Sequence, residues 1–194
     1  SAAIADAAVP PRNLVFLLDV SGSMADANKL PLLRQAMGLL VEQLRPQDRV
    51  TIVVYAGAEG LALPTTTGAD KTSIRDALTR LEAGGSTNGG AGIALAYDRA
   101  RAAFIRGGIN RVILCTDGDF NVGLTSEGEL TRLVEREREH GVDLTVLGFG
   151  MGNLKDSTLE QLADKGNGNY AYIDSLAEAT KTLVEQAGGT LVTI

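Results

Sequence analysis

The sequence predicts a doubly wound α/β domain: a mostly parallel six-stranded sheet with one short antiparallel edge strand and helices on both faces. Three observations carry that expectation. Apolar runs too continuous for half-exposed strands recur along the chain, and helical patterns separate them. A chain of 194 residues, 44% of them hydrophobic, is also long enough to bury one sizeable core without staples.

Taken in order, Leu14-Val-Phe-Leu-Leu18 is an uninterrupted apolar run ending at Asp19. Leu33, Met37, Leu40 and Leu44 then recur at helical spacing, and Pro46 stops that helix. Val50 to Ala56 is a second buried strand, and Leu61 to Leu63, after Gly60, is a short strand able to form a hairpin with it. Four Ser-x-x-Asp/Glu boxes mark helix starts: Ser73/Asp76, Ser126/Glu129, Ser157/Glu160 and Ser175/Glu178. Another helix follows Gly92, with Ile93, Tyr97, Ala100 and Phe104 on one face. Strands fit Arg111 to Thr116, Asp143 to Gly148 and Asn169 to Ile173. In such sheets ligands bind outside the carboxyl ends of the strands, near the point where strand order reverses. The loops that matter therefore follow Leu18, Tyr55 and its hairpin, Thr116 and Gly148.

Composition removes several classes of function. With 18 basic and 24 acidic residues the net charge is −6, a poor match to nucleic acid or an anionic membrane surface. The single cysteine, Cys115, excludes an internal disulfide framework and a cysteine-built metal site. No apolar run approaches the roughly 20 residues of a bilayer span, so no membrane insertion by this domain is expected. Ser1 to Pro11 lacks a basic region followed by an apolar stretch and does not read as a signal peptide. Residues 1–12 read instead as a leader or linker segment, and 188–194 as the start of a following one.

The chemistry gathers in three loops. After the first strand stands Asp19-Val-Ser21-Gly-Ser23-Met, three oxygen-bearing side chains at alternate positions with Gly22 allowing a tight turn. The fourth strand ends Cys115-Thr-Asp117-Gly-Asp119, which puts another carboxylate on the same edge of the sheet. Between them lies the glycine-rich Gly84-Gly-Ser86-Thr87-Asn-Gly-Gly, just before a helix. Hydroxyls and carboxylates without soft ligands suit Mg²⁺, Mn²⁺ or Ca²⁺. A bland reading stands beside this one, in which Ser21-Gly22-Ser23 is only a turn and Asp19 a helix cap.

These residues resemble the metal-ion-dependent adhesion site of von Willebrand factor type A domains, in its order and spacing, over residues 13–187. A narrower likeness to a bacterial subgroup rests on Asn28-Lys-Leu-Pro-Leu-Leu, Leu44-Arg-Pro-Gln-Asp-Arg-Val50, Thr116-Asp-Gly-Asp-Phe-Asn-Val-Gly123 and Asp164-Lys-Gly-Asn-Gly-Asn-Tyr170. The resemblance implies a Rossmann-like fold in which Ser21 and Ser23 bind the metal through their hydroxyls. It implies that Thr87 is a direct ligand in the open state, and that Asp19 and Asp117 act mostly through bound waters, with Asp117 a direct ligand in a closed state as the alternative. It further implies a protein partner presenting Asp or Glu, no enzymatic activity, and a place in a longer bacterial protein of the cell envelope, periplasmic or secreted. Neutral hydroxyls leave the cation's charge largely uncompensated at its open position, which is what an incoming carboxylate needs.

Two other classes remain in view. One is a metal-assisted hydrolase with Asp19 as nucleophile; against it, no second acid stands at Ser21 and the sole histidine, His140, is remote. The other is a structural domain whose site stays empty. Asp119 and Asn121 fit water-orienting or turn-forming roles equally, and Gly148-Phe-Gly150-Met-Gly152-Asn fits simple turn geometry or partner specificity. Gly166-Asn-Gly168-Asn-Tyr-Ala171 matches a dinucleotide fingerprint only formally, because it follows a helix and precedes a strand. His140 reads as a helix-end cation, Cys115 as an inert core thiol, and Glu135-Arg-Glu-Arg-Glu139 as a solvated helix face.

Overall fold

The structure, a computed structural model, describes residues 9–56, 58–84, 89–118, 127–150 and 157–186. The strands are β1 (Arg12–Asp19), β2 (Arg49–Ala56), β3 (Ala58–Thr67), β4 (Ile109–Thr116), β5 (Asp143–Phe149) and β6 (Tyr170–Ile173). The helices are α1 (Leu30–Glu42), α2 (Lys71–Thr79), α3 (Gly89–Ala102), α4 (Glu127–Glu139), α5 (Ser157–Lys165) and α6 (Leu176–Gln186), with a 3-10 turn at Gly22–Ala25. The sheet order is β3-β2-β1-β4-β5-β6, and every pairing is parallel except β2 with β3.

The strand alternation divides the core in two. Leu14, Phe16 and Leu18 of β1 pack on one face with Leu33, Met37 and Leu40 of α1, Ile74 of α2 and Leu183 of α6. Val15 and Leu17 point to the other, against Ile93 and Tyr97 of α3, Leu130 and Val134 of α4 and Leu159 of α5. Both faces of β1 are covered, so its apolar run is continuous rather than alternating. Each such side chain, once fully buried, contributes roughly 1.5–3 kcal/mol.

Four expectations change in detail. The edge strand is ten residues long, because register shifts around Ile52 let β3 follow β2 along its whole length. The cap of α2 is Asp70, not Ser73: its carboxylate accepts from the Ser73 amide at 3.2 Å and from the Ser73 hydroxyl at 2.7 Å. α3 ends at Ala102, leaving Phe104 beyond the helix and 41% exposed. The charged run of α4 is not wholly solvated, since Glu137 is fully buried and accepts from Arg101 Nη1 at 2.8 Å. Leu130, Val134 and Glu137 share one helical stripe, so the spacing already put that carboxylate on the inner face. Ser175 caps α6 as expected, the Glu178 amide donating to its Oγ at 3.2 Å, while the Glu178 carboxylate turns to Asp174 rather than closing the box on Ser175. Ser126 lies outside the described residues, and Ser157 is itself the first residue of α5.

Gly38 sits inside α1, where an added Cβ meets nothing within 4 Å. Gly38→Ala therefore gains about 0.5–1 kcal/mol through lower backbone entropy in the unfolded chain, measured as a higher denaturant midpoint. No helix among the described residues is long and apolar enough to cross a membrane.

Candidate functional site

Strand order reverses between β1 and β4: from β1 the chain steps outward to β2 and β3, and from β4 the other way to β5 and β6. The carboxyl ends of these two neighbours, Asp19 and Thr116, therefore flank the switch point. Asp19 is fully buried there. Its Oδ1 accepts from the Ser21 amide at 2.9 Å and its Oδ2 from the Thr116 hydroxyl at 3.3 Å, which ties the two strand ends together.

Past Asp19 the chain enters the 3-10 turn, closed by Met24 N donating to the Ser21 carbonyl at 2.9 Å. Met24 is fully buried and plugs the loop into the core. That anchor leaves Ser21 nearly buried and Ser23 exposed, with their hydroxyl oxygens 3.0 Å apart. Gly22 does not occupy the left-handed backbone region expected of a tight glycine turn. Gly118 does, at φ 99°, directly after Asp117. The Gly118 amide donates to Thr116 Oγ1 at 3.3 Å, so one hydroxyl organises both loops.

The Asp117 side chain is only 4% exposed and accepts from Lys29 Nζ at 3.3 Å. Burial raises the pKa of Asp19 above the ordinary carboxylate value; hydrogen bonds from Ser21 and Thr116 oppose the rise and the negative charge of Asp117 adds to it. Tyr55 stands opposite Asp19 in the β1–β2 register and is fully buried. Burial first, and then the charges of Asp19 and Asp117, push its phenol up, so it stays protonated.

Asp19, Ser21, Ser23 and Asp117 thus share one rim of the sheet. Thr87, Asp119, Asn121 and Met151 to Asn153 lie outside the described residues. The Gly84 amide donates to the Val20 carbonyl at 2.7 Å, which ties the chain at Gly84 to the Asp19 loop. Three residues that the sequence did not single out as site residues belong to this rim: Thr116, Tyr55 and Lys29. For Thr116 the signal was a hydroxyl closing the apolar run Val112 to Cys115; for Lys29 the sequence spacing carried none. His140 lies elsewhere, its Nδ1 2.8 Å from the Arg136 carbonyl at the end of α4. Cys115 is fully buried, and burial pushes its thiol pKa well up, which keeps it inert.

The von Willebrand factor type A domain description matches residues 13–186. The chain is 48% identical over 186 residues to the uncharacterized protein YfbK of Escherichia coli (strain K12), covering 96% of this chain and 32% of that protein. It therefore spans about a third of the length of that relative. Among solved structures it is similar to the conserved hypothetical protein BatB from Bacteroides thetaiotaomicron, with TM-score 0.74 at 21% identity over 91% of this chain and 97% of BatB. It is also similar to the manganese-loaded TRAP protein of Plasmodium vivax, with TM-score 0.68 at 21% identity over 90% of this chain and 72% of that one. At these identities the two structures speak for the fold.

Proposed function

The chain belongs to the von Willebrand factor type A domain family, and on that premise we propose that it is a divalent-metal-dependent protein-binding module. Domains of this family commonly serve in adhesion or other protein interactions. Here Asp19, Ser21, Ser23, Thr87 and Asp117 hold Mg²⁺ or Mn²⁺, and the partner presents an Asp or Glu side chain.

The observation that carries this reading is the 3.0 Å spacing of the Ser21 and Ser23 hydroxyls at the switch point, between two largely buried carboxylates. The two hydroxyls are hydrogen-bonded to each other, which already holds them side by side as two neutral oxygen donors of the kind a hard divalent cation takes. A divalent ion held there supplies an open, Lewis-acidic coordination position. The protein's own residues supply the rest. Ser21 and Ser23 bind without neutralising the charge, and Asp19 holds the loop in register through the Ser21 amide. Asp19 and Asp117 provide the long-range attraction. Although the chain carries a net charge of −6, repulsion of an acidic partner is screened beyond about 8 Å at physiological salt. Contact with the cation acts at about 2.0–2.6 Å and prevails.

Calorimetric titration with MgCl₂ and MnCl₂ tests the assignment. The wild type takes up one divalent ion, and the Ser21→Ala/Ser23→Ala double variant takes up none. Unchanged affinity in the double variant would put the ion elsewhere. A pull-down from the native source, with Mg²⁺ and then with a chelator, tests the acidic partner: its retention must vanish with the metal.

A further inference from the structure

Lys29 ends at the same rim, and its side chain is built into the fold rather than left to solvent. It is the residue before α1, only 16% exposed in its side chain. Its ammonium lies 3.3 Å from Asp117 Oδ2 and 3.6 Å from Asp26 Oδ2, the latter carboxylate being mostly exposed. Its aliphatic stem lies against Gly150, just past the end of β5. A Cβ at Gly150 would come within 2.7 Å of Lys29 Cε and 2.9 Å of Cγ, and the Gly150 backbone, at φ 63°, is one that side chains rarely adopt. The absence of a side chain there leaves a trough that directs the ammonium at Asp117.

From this geometry we propose that Lys29 tunes the affinity of the rim: its fixed charge restrains the binding of divalent cations by sharing Asp117 with them. The inference rests on the reading of the rim as a divalent site. A unit positive charge in contact with a nearly buried carboxylate cancels much of the potential that carboxylate offers to a second cation. Asp19 is too deep and too fully hydrogen-bonded to compensate. The site then holds metal loosely by itself and firmly when a partner's carboxylate adds negative charge. By linkage, each then strengthens the other.

Calorimetry with MgCl₂ and with MnCl₂ on wild type, Lys29→Met and Lys29→Gln reads this directly, with thermal unfolding in a chelator as the fold control. Met keeps the stem in the Gly150 trough, and Gln keeps a polar tip for Asp117, so the pair remains informative if one variant folds poorly. Both neutral variants should bind each ion about tenfold more tightly than wild type. A merely structural lysine would lower the melting temperature in chelator without tightening metal binding. Equal or weaker affinity in folded variants, with wild type still binding, overturns the role of Lys29 and leaves the metal site standing. Uptake by neither wild type nor variants overturns the metal site, and this inference with it. Uptake by the variants alone supports both.

Discussion

Asp48→Asn lowers global stability by about 3–4 kcal/mol, a loss of roughly 6–16 °C in melting temperature for a domain of this size. Asp48 is fully buried at the amino end of the sheet. Its carboxylate accepts from the Arg12 amide at 3.0 Å, from Arg12 Nη2 at 2.9 Å, from the Arg45 amide at 2.9 Å and from Arg45 Nη2 at 3.2 Å. Arg45 in turn donates to the carbonyls of Val9 and Pro10 at 2.9 and 2.8 Å, so the network fixes how the chain enters β1. Removing the one anion leaves two buried guanidinium groups uncompensated, which costs more than the pair contributes in net terms. Burial alone would raise the pKa of Asp48, but the hydrogen bonds from Arg12 and Arg45 outweigh it and hold the carboxyl below its ordinary 3.8. The stabilisation is therefore complete above pH about 4 and drains away as pH falls through the lower folded-state value. Urea unfolding between pH 2 and 7 should show a shallower acid limb in Asp48→Asn; an unchanged limb would sink the assignment.

Gly168→Ala is the second large effect. A Cβ there would lie 1.7 Å from the Leu144 carbonyl oxygen and 3.0 Å from Thr145 Oγ1, and backbone is the obstacle. The surrounding segment has little freedom to retreat. The Gly168 amide donates to the Ala163 carbonyl at 2.9 Å, Leu144 N to the Gly166 carbonyl at 2.9 Å, and Val146 N to the Asn169 carbonyl at 2.9 Å. Relief requires breaking the turn that docks β6 on β5. We expect a loss of roughly 3 kcal/mol or more, measured by urea unfolding, with weaker hydrogen-exchange protection of the β6 amides. A stability within 0.5 kcal/mol of wild type, about the size of an ordinary surface change, would refute it.

Much of this architecture is legible in the residues because burial on both faces leaves a simple trace. Leu14 to Leu18 and Arg111 to Thr116 read as buried parallel strands, and they fall in the two neighbours that flank the switch point. The Asp-x-Ser-x-Ser pattern was readable for a related reason: it follows directly on a core strand, at the sheet edge where such folds bind ligands. Contacts between distant segments were harder. Lys29 and Asp117 are 88 residues apart, and Asp48 draws on Arg12 across 36, distances at which spacing carries no signal. Glu137 was obscured differently, because a charged run looks solvated until its helical stripe is traced. The extent of β3 was hidden by Pro64 and by threonines that suit a half-exposed edge.

Central placement of β1 has a mechanical consequence. This strand carries Asp19 at one end, while Arg12 at the other is clasped by Asp48. Tension drawn between these points runs along the strand axis, parallel to its ladders with β2 and β4. A pull on the Asp19 end of β1, opposed by a hold on its neighbours, would load both rows of hydrogen bonds in shear together instead of unzipping them singly.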